Sequence, residues 1–141
     1  MSGLIVFLQC GKKKLSEGKH PASEIYTSEL FRTSLAYARS LTDDDNIRIL
    51  SGKFGVLRLN DVIEPYNVTL KTMTNKERER WGEYVKGQLR SQGITSDRPA
   101  IFLTGELYER FVRDYFQHSE NPLRGLGLGY RMQFMKKRLA K

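Results

Sequence analysis

The sequence predicts an α/β fold: a three-layer arrangement in which a mostly parallel sheet carries helices on its faces, as a single compact domain over 1–141. Three observations predict it. Strand-like apolar runs at Leu4–Leu8, Ile47–Leu50 and Pro99–Leu103 alternate along the chain with segments of helical period. The first run is apolar at every position, the pattern of a strand covered on both faces. At 141 residues the chain has room for one core but not two.

Each element has its own signals. The first strand, centred on Ile5, Val6 and Phe7, ends at Gln9-Cys10-Gly11 and passes through Lys12-Lys13-Lys14 into a polar loop that reaches Pro21. A helix follows from about Ser28 to Leu41, with Thr27 or Ser28 as cap, Glu29 in the first turn, and Leu30, Phe31, Leu35 and Ala38 as its inner stripe. Asp43-Asp44-Asp45 then turns the chain into the second strand. Leu50 to Leu70 reads as a long ordered loop. It breaks at Ser51-Gly52 and Gly55 before a helical period can start, yet Phe54, Val56, Leu57, Leu59, Val62 and Ile63 make it too apolar to be disordered.

Thr74-Asn75-Lys76-Glu77 has the form of a capping box. Trp81, Tyr84, Val85, Gln88 and Leu89 repeat behind it on one helical face, up to a stop at Gly93. The third strand ends at Thr104-Gly105, and Leu107, Tyr108, Phe111, Val112 and Tyr115 mark a third helix. His118 to Gly129 is loop. Tyr130–Leu139 closes the chain as a helix, with Lys136, Lys137, Arg138 and Lys141 near its end, where cations suit the helix dipole.

Composition narrows the function classes. A net charge of +8 favours polyanionic partners: nucleic acid, nucleotides or an acidic membrane surface. One cysteine excludes an internal disulfide and fits a reducing cytoplasm. The apolar run in MSGLIVFLQC is too short to span a membrane and lacks the basic flank of a signal peptide, so a cytoplasmic protein with no membrane partner is expected. His20, His118 and a single cysteine make no zinc pattern, so no metal and no cofactor are expected.

In an open parallel sheet ligands bind beyond the carboxyl ends of the strands. Those ends here are Cys10-Gly11-Lys12, Ser51-Gly52-Lys53 and Thr104-Gly105-Glu106, each a small or polar residue, a glycine and a charge. Glycine lets backbone amides approach a ligand, so Gly11, Lys12, Ser51, Gly52, Lys53 and Gly105 are candidates for holding phosphate or ribose phosphate. Cys10, beside three lysines, is either a nucleophile or a small buried residue at a strand end. Asp61 either supplies a carboxylate to a sugar, stabilising an oxocarbenium-like state or activating water, or orders its loop through backbone amides or Arg58. Pro65 fixes the chain before Tyr66, whose ring either stacks on a base or packs on the core with its hydroxyl capping a loop. Gly125-Leu126-Gly127-Leu128-Gly129 lacks the preceding strand and the spacing of a dinucleotide fingerprint; as a close-packing turn it aims Arg131 at the cleft.

Leu50-Ser51-Gly52-Lys53-Phe54-Gly55-Val56-Leu57, then Asp61, then Pro65-Tyr66, resembles the signature of the YaaA family of peroxide stress proteins. The similarity continues through Trp81-Gly82 and Ile101 to Phe111. The full length more closely resembles a smaller YaaA-like family of bacteria and phages, in which a Cys-Gly-Lys-Lys start, a segment like Tyr26 to Phe31 and a Gly-Leu-Gly end recur. The resemblance implies DNA binding, protection from oxidative damage, or a place in nucleobase modification. This chain is far shorter and has no helix-hairpin-helix segment.

Two functions follow as expectations. One is an enzyme acting on a nucleotide or nucleobase, cleaving or exchanging an N-glycosidic bond as an N-glycosylase or nucleotide hydrolase does, with Asp61 and Cys10 at its centre. The other is a non-catalytic DNA-binding module gripping nucleic acid through Lys13, Lys136, Lys137 and Arg138.

Overall fold

The structure is a computed structural model that describes residues 3–140; Lys141, expected near the end of the last helix, lies outside the described residues. Along the chain the elements are β1 (Ile5–Gln9), β2 (His20–Pro21), α1 (Ala22–Ile25), α2 (Glu29–Leu41), β3 (Ile47–Ser51), β4 (Gly55–Arg58) and β5 (Val62–Ile63). They continue with α3 (Asn75–Ser91), β6 (Ala100–Leu103), α4 (Glu106–Arg110), β7 (Ser119–Glu120) and α5 (Leu128–Leu139). Five strands form one sheet in the order β4-β3-β1-β6-β7, parallel except for β4 at its edge; β2 and β5 pair as a separate antiparallel ribbon.

β1 is central because it is apolar on both sides. Val6 and Leu8 face one core with Ile47, Ile49 and residues of α1, α2 and α5; Ile5 and Phe7 face the other with Leu50, Phe102 and residues of α3 and α4. Phe7 and Phe102, partners in register, stack at 4.9 Å. The result is the expected three-layer α/β domain with helices on both faces. Among the described residues no helix is long and apolar enough to cross a membrane.

The helix signals hold. Ser28 Oγ accepts from the Phe31 amide at 3.1 Å. Thr74 and Glu77 form the reciprocal capping box, at 2.8 and 3.1 Å. Gly93, at φ +73°, ends α3 as the left-handed residue that closes its last carbonyls.

Three expectations are corrected. The stretch from Leu50 to Leu70 is not one long loop: Gly55, at φ +76°, reverses the chain into β4, which pairs antiparallel with β3. Val56 and Leu57 then enter opposite cores, an alternation too short to read as a strand. The third helix stops at Arg110 and the chain continues as a 3₁₀ turn over Arg113–Tyr115, although Tyr108 and Val112 are buried. The closing helix starts at Leu128 rather than Tyr130, and the loop before it contributes β7.

In α3 the inner position expected of Tyr84 falls to Gly82; Tyr84 is exposed. A Cβ on Gly82 would lie 2.5 Å from the Phe111 carbonyl oxygen, so only glycine admits this approach. Alanine normally favours a helix over glycine by about 1 kcal/mol. Gly82→Ala should reverse that sign and destabilise the fold by about 1–3 kcal/mol, the usual range for overpacking. Gly87→Ala, where a Cβ meets nothing within 4 Å, should stabilise it. Denaturant midpoints check both, and a raised midpoint for Gly82→Ala would mean that α3 does not meet Phe111 so closely.

Candidate functional site

Parallel pairing of β1 with β3 and β6 brings their carboxyl ends to one rim. There the Cys10 amide donates to the Leu50 carbonyl at 3.0 Å, and the Gly105 amide donates to Gln9 Oε1 at 2.7 Å. Cavities open on either side of Gln9-Cys10-Gly11. The larger, about 290 Å³, lies between Lys12 and Lys14 on one bank and Thr69, Lys71 and Thr72 on the other, with Tyr108 in its lining. The smaller, about 80 Å³, lies between the ends of β1 and β6, Ser28 and Arg131. Cys10 and Gly11 belong to both.

Cys10, Gly11, Lys12, Gly105 and Arg131 are therefore gathered at one cleft. Arg131 Nε donates to the Leu126 carbonyl at 2.9 Å, while its terminal nitrogens lie beside Gly105. Ser51, Gly52 and Lys53 line neither cavity. Ser51 is fully buried; its Oγ accepts from the Lys53 and Phe54 amides and donates to the Tyr66 hydroxyl at 2.8 Å. Gly52 packs under the Val68 carbonyl, where a Cβ would come within 2.9 Å. Lys53 is exposed, its ammonium against the Phe54 ring. The second triplet thus packs behind the cleft and does not line it.

Tyr66 is a structural residue as well. Its hydroxyl meets Tyr26 at 2.5 Å, its ring stands edge-on to Phe54, and the Lys14 ammonium lies 4.5 Å from its centroid. Tyr66 lines neither cavity, and its ring is already engaged by Phe54 and Lys14. Pro65, half-buried just before it, lines neither cavity. Asp61 departs furthest from the expectation of a catalytic carboxylate. Its side chain accepts from the Arg58 amide at 2.8 Å, and its amide returns to the Arg58 carbonyl. Arg58 pairs with Arg48 at the start of β3, while Ser51 pairs with Gly55 at the rim. Asp61 therefore closes a turn at the end of the hairpin away from Cys10.

The sequence reading missed the groups that surround Cys10. Its thiol lies 3.6 Å from the Tyr108 hydroxyl, which the Thr69 hydroxyl and the Leu70 amide approach at 3.4 Å. Burial pushes the Tyr108 phenol up to about 12, with proximity to Cys10 adding to it. Tyr26 and Tyr66 are pushed up as well, by burial first and Cys10 second. Burial lowers Lys14, with Cys10 acting against it. Tyr108 reads in sequence as an ordinary helix position, Tyr26 stands out only as the start of the recurring Tyr26 to Phe31 segment, and Thr69 and Lys71 carry no local signal. Among the described residues no three His, Cys, Asp or Glu side chains gather to hold a metal ion.

Fold and cleft together define a three-layer α/β protein with a lysine-banked pocket beyond the carboxyl ends of its parallel strands. Residues 5–137 match the family model of DUF6884, a family of unknown function, and the chain belongs to that family. No curated protein matches it.

The tyrosine cluster makes stability depend on alkaline pH. Tyr108 has a folded pKa above its unfolded value near 10. A group raised in this way contributes stability that is complete below pH 10 and lost as pH rises through the folded value. Urea unfolding from pH 8 to 11 should show stability falling above pH 10, and Tyr108→Phe should lessen the fall. An equal fall in the variant would mean that this phenol is solvated.

Proposed function

We propose that the cleft at Cys10 binds a phosphate-bearing ligand, a nucleotide or a nucleic acid. The carrying observation is the larger cavity's lining: Lys12, Lys14 and Lys71, with no carboxylate among them. Lys14 is the most telling of the three. It is partly buried, its ammonium donates to the Lys12 carbonyl at 3.2 Å and rests on aromatic rings, and among the described residues no acid pairs with it. An anion in the cavity supplies the missing partner by charge-assisted hydrogen bonds. Arg131 extends positive charge to the neighbouring cavity, and the resemblance to YaaA proteins agrees with a nucleic-acid theme.

The reading rests on binding rather than on glycosidic cleavage. Cleavage or exchange of an N-glycosidic bond by a carboxylate needs that group beside the sugar. Asp61 serves its own turn, and Glu106, next to Gly105, is held by Arg110 and Arg113. If chemistry accompanies binding, the groups in reach are the Cys10 thiol and the neutral Tyr108 hydroxyl, a donor rather than a base.

Hydrogen bonds to a charged group contribute about 1.5–3 kcal/mol, so Lys14→Ala and Lys71→Ala should each weaken 5′-mononucleotide binding by roughly tenfold or more. Asp61→Asn should leave it unchanged. Titration calorimetry at low salt reads both. Binding that ignores both lysine replacements sinks the proposal.

A further inference from the structure

We infer that the outer face of α5 extends this cleft as a track for single-stranded nucleic acid, with Tyr130 stacking on an unpaired base and Lys137 meeting a phosphate. The inference rests on the cleft reading and names its ligand as a polymer rather than a free nucleotide.

Geometry joins the two regions. Leu128, in the first turn of α5, lines the smaller cavity beside Arg131 and also lines an open trough of about 930 Å³ along the helix. Tyr130, Gln133 and Lys137 stand at i, i+3 and i+7 on that trough, one continuous face. The opposite face belongs to the core through Met135, and Phe134 lies edge-on to Tyr37.

Charge selects the occupant. Within Leu128–Leu139 the chain carries Arg131, Lys136, Lys137 and Arg138 and no acid. Of these, Lys136 and Lys137 line the trough; Lys136 pairs with Glu29, Arg138 rests on the Phe134 ring, and among the described residues no carboxylate pairs with Lys137. Tyr130 is 68% exposed although it is aromatic, and nothing in the fold accounts for that placement. Gly127 is the N-cap of α5, a position that suits glycine, whereas Gly129, on the other side of Leu128, is unexplained by folding. Neither has positive φ, and a Cβ on either meets nothing within 4 Å. Their effect is a bare floor over which a flat ring can slide toward Tyr130. A cationic groove with an open aromatic platform is the arrangement that holds single strands, because every base has a face to stack and a stacked duplex does not offer it. An acidic membrane suits this face less: the apolar residues lining the trough, Leu128, Tyr130 and Met132, are interrupted by Gln133, Lys136 and Lys137.

The experiment compares a fluorescent single-stranded oligonucleotide long enough to span cleft and helix with a 5′-mononucleotide. Tyr130→Ala should weaken the oligonucleotide by roughly five- to a hundredfold, the range of one stacked base, and leave the mononucleotide unchanged. Tyr130→Phe should keep most of the affinity. Lys137→Ala should lower the salt slope by about 1. Both side chains are exposed, and unaltered denaturation midpoints would confirm intact folding. The track is refuted if Tyr130→Ala binds the oligonucleotide as the parent does, if a duplex binds as tightly as the single strand, or if Tyr130→Ala abolishes only adsorption to anionic vesicles. The cleft reading fails separately: mononucleotide binding would then ignore Lys71→Ala while the oligonucleotide still depended on Tyr130.

Discussion

One fully buried hydroxyl holds the site together. Ser51 ends β3; its Oγ takes the amides of Lys53 and Phe54, gives its proton to Tyr66, and its carbonyl accepts the Trp81 indole at 2.8 Å. One residue thus joins the end of a central strand, the reversal into β4, the far part of the loop and helix α3. Tyr66 passes the connection to Tyr26, which sits on the other side of the Lys12–Lys14 segment through the Lys14–Tyr26 bridge. A buried polar group left unpaired costs about 1–3 kcal/mol, so such a chain is stable only when every member finds its partner. Among the described residues every buried side-chain nitrogen and oxygen does.

A second buried group fixes the other bank. Glu109 has no exposed surface, yet its carboxylate meets Arg124 at 2.9 Å and Asn121 at 3.0 Å. Asn121 also holds the Thr104 carbonyl at the end of β6. The loop that precedes α5 is therefore pinned to the rim, and its Leu126 carbonyl steadies Arg131. This pair, a buried carboxylate with a half-exposed guanidinium, adds little net stability once desolvation is counted. Its contribution here is positional: it decides where the first turn of α5 meets the cleft.

What was legible in the sequence was whatever has a local cause. The continuous apolarity of β1, the cap at Ser28, the capping box at Thr74 and the stop at Gly93 all act within a few residues, and all are found where the pattern puts them. The gathering of Cys10, Gly11 and Gly105 followed from topology, since parallel neighbours must end on one side. Side-chain direction had no such cause. Ser51-Gly52-Lys53 has the same composition as a phosphate loop, but its hydroxyl turns inward to its own amides. Asp61 is likewise used by Arg58, three residues away. The pairs that shape the pocket, Tyr26 with Tyr66 and Cys10 with Tyr108, are separated by 40 and 98 residues and leave no periodicity to read.

The distribution of charge explains how a bulk excess becomes a local one. Most ion pairs of the described residues lie on the α3–α4 side: Glu106 with Arg110 and Arg113, Asp114 and Glu83 with Lys86, Glu109 with Arg124. Among the described residues no carboxylate pairs with the cations that line the two cavities, Lys12, Lys14, Lys71 and Arg131. At physiological salt, charges are screened beyond about 8 Å, so a net +8 spread evenly would exert little force on a ligand. Four cations around a concave rim act at contact distance, where screening is weakest. Lys14 is the clearest case: burial works against its charge, and among the described residues no carboxylate pairs with it.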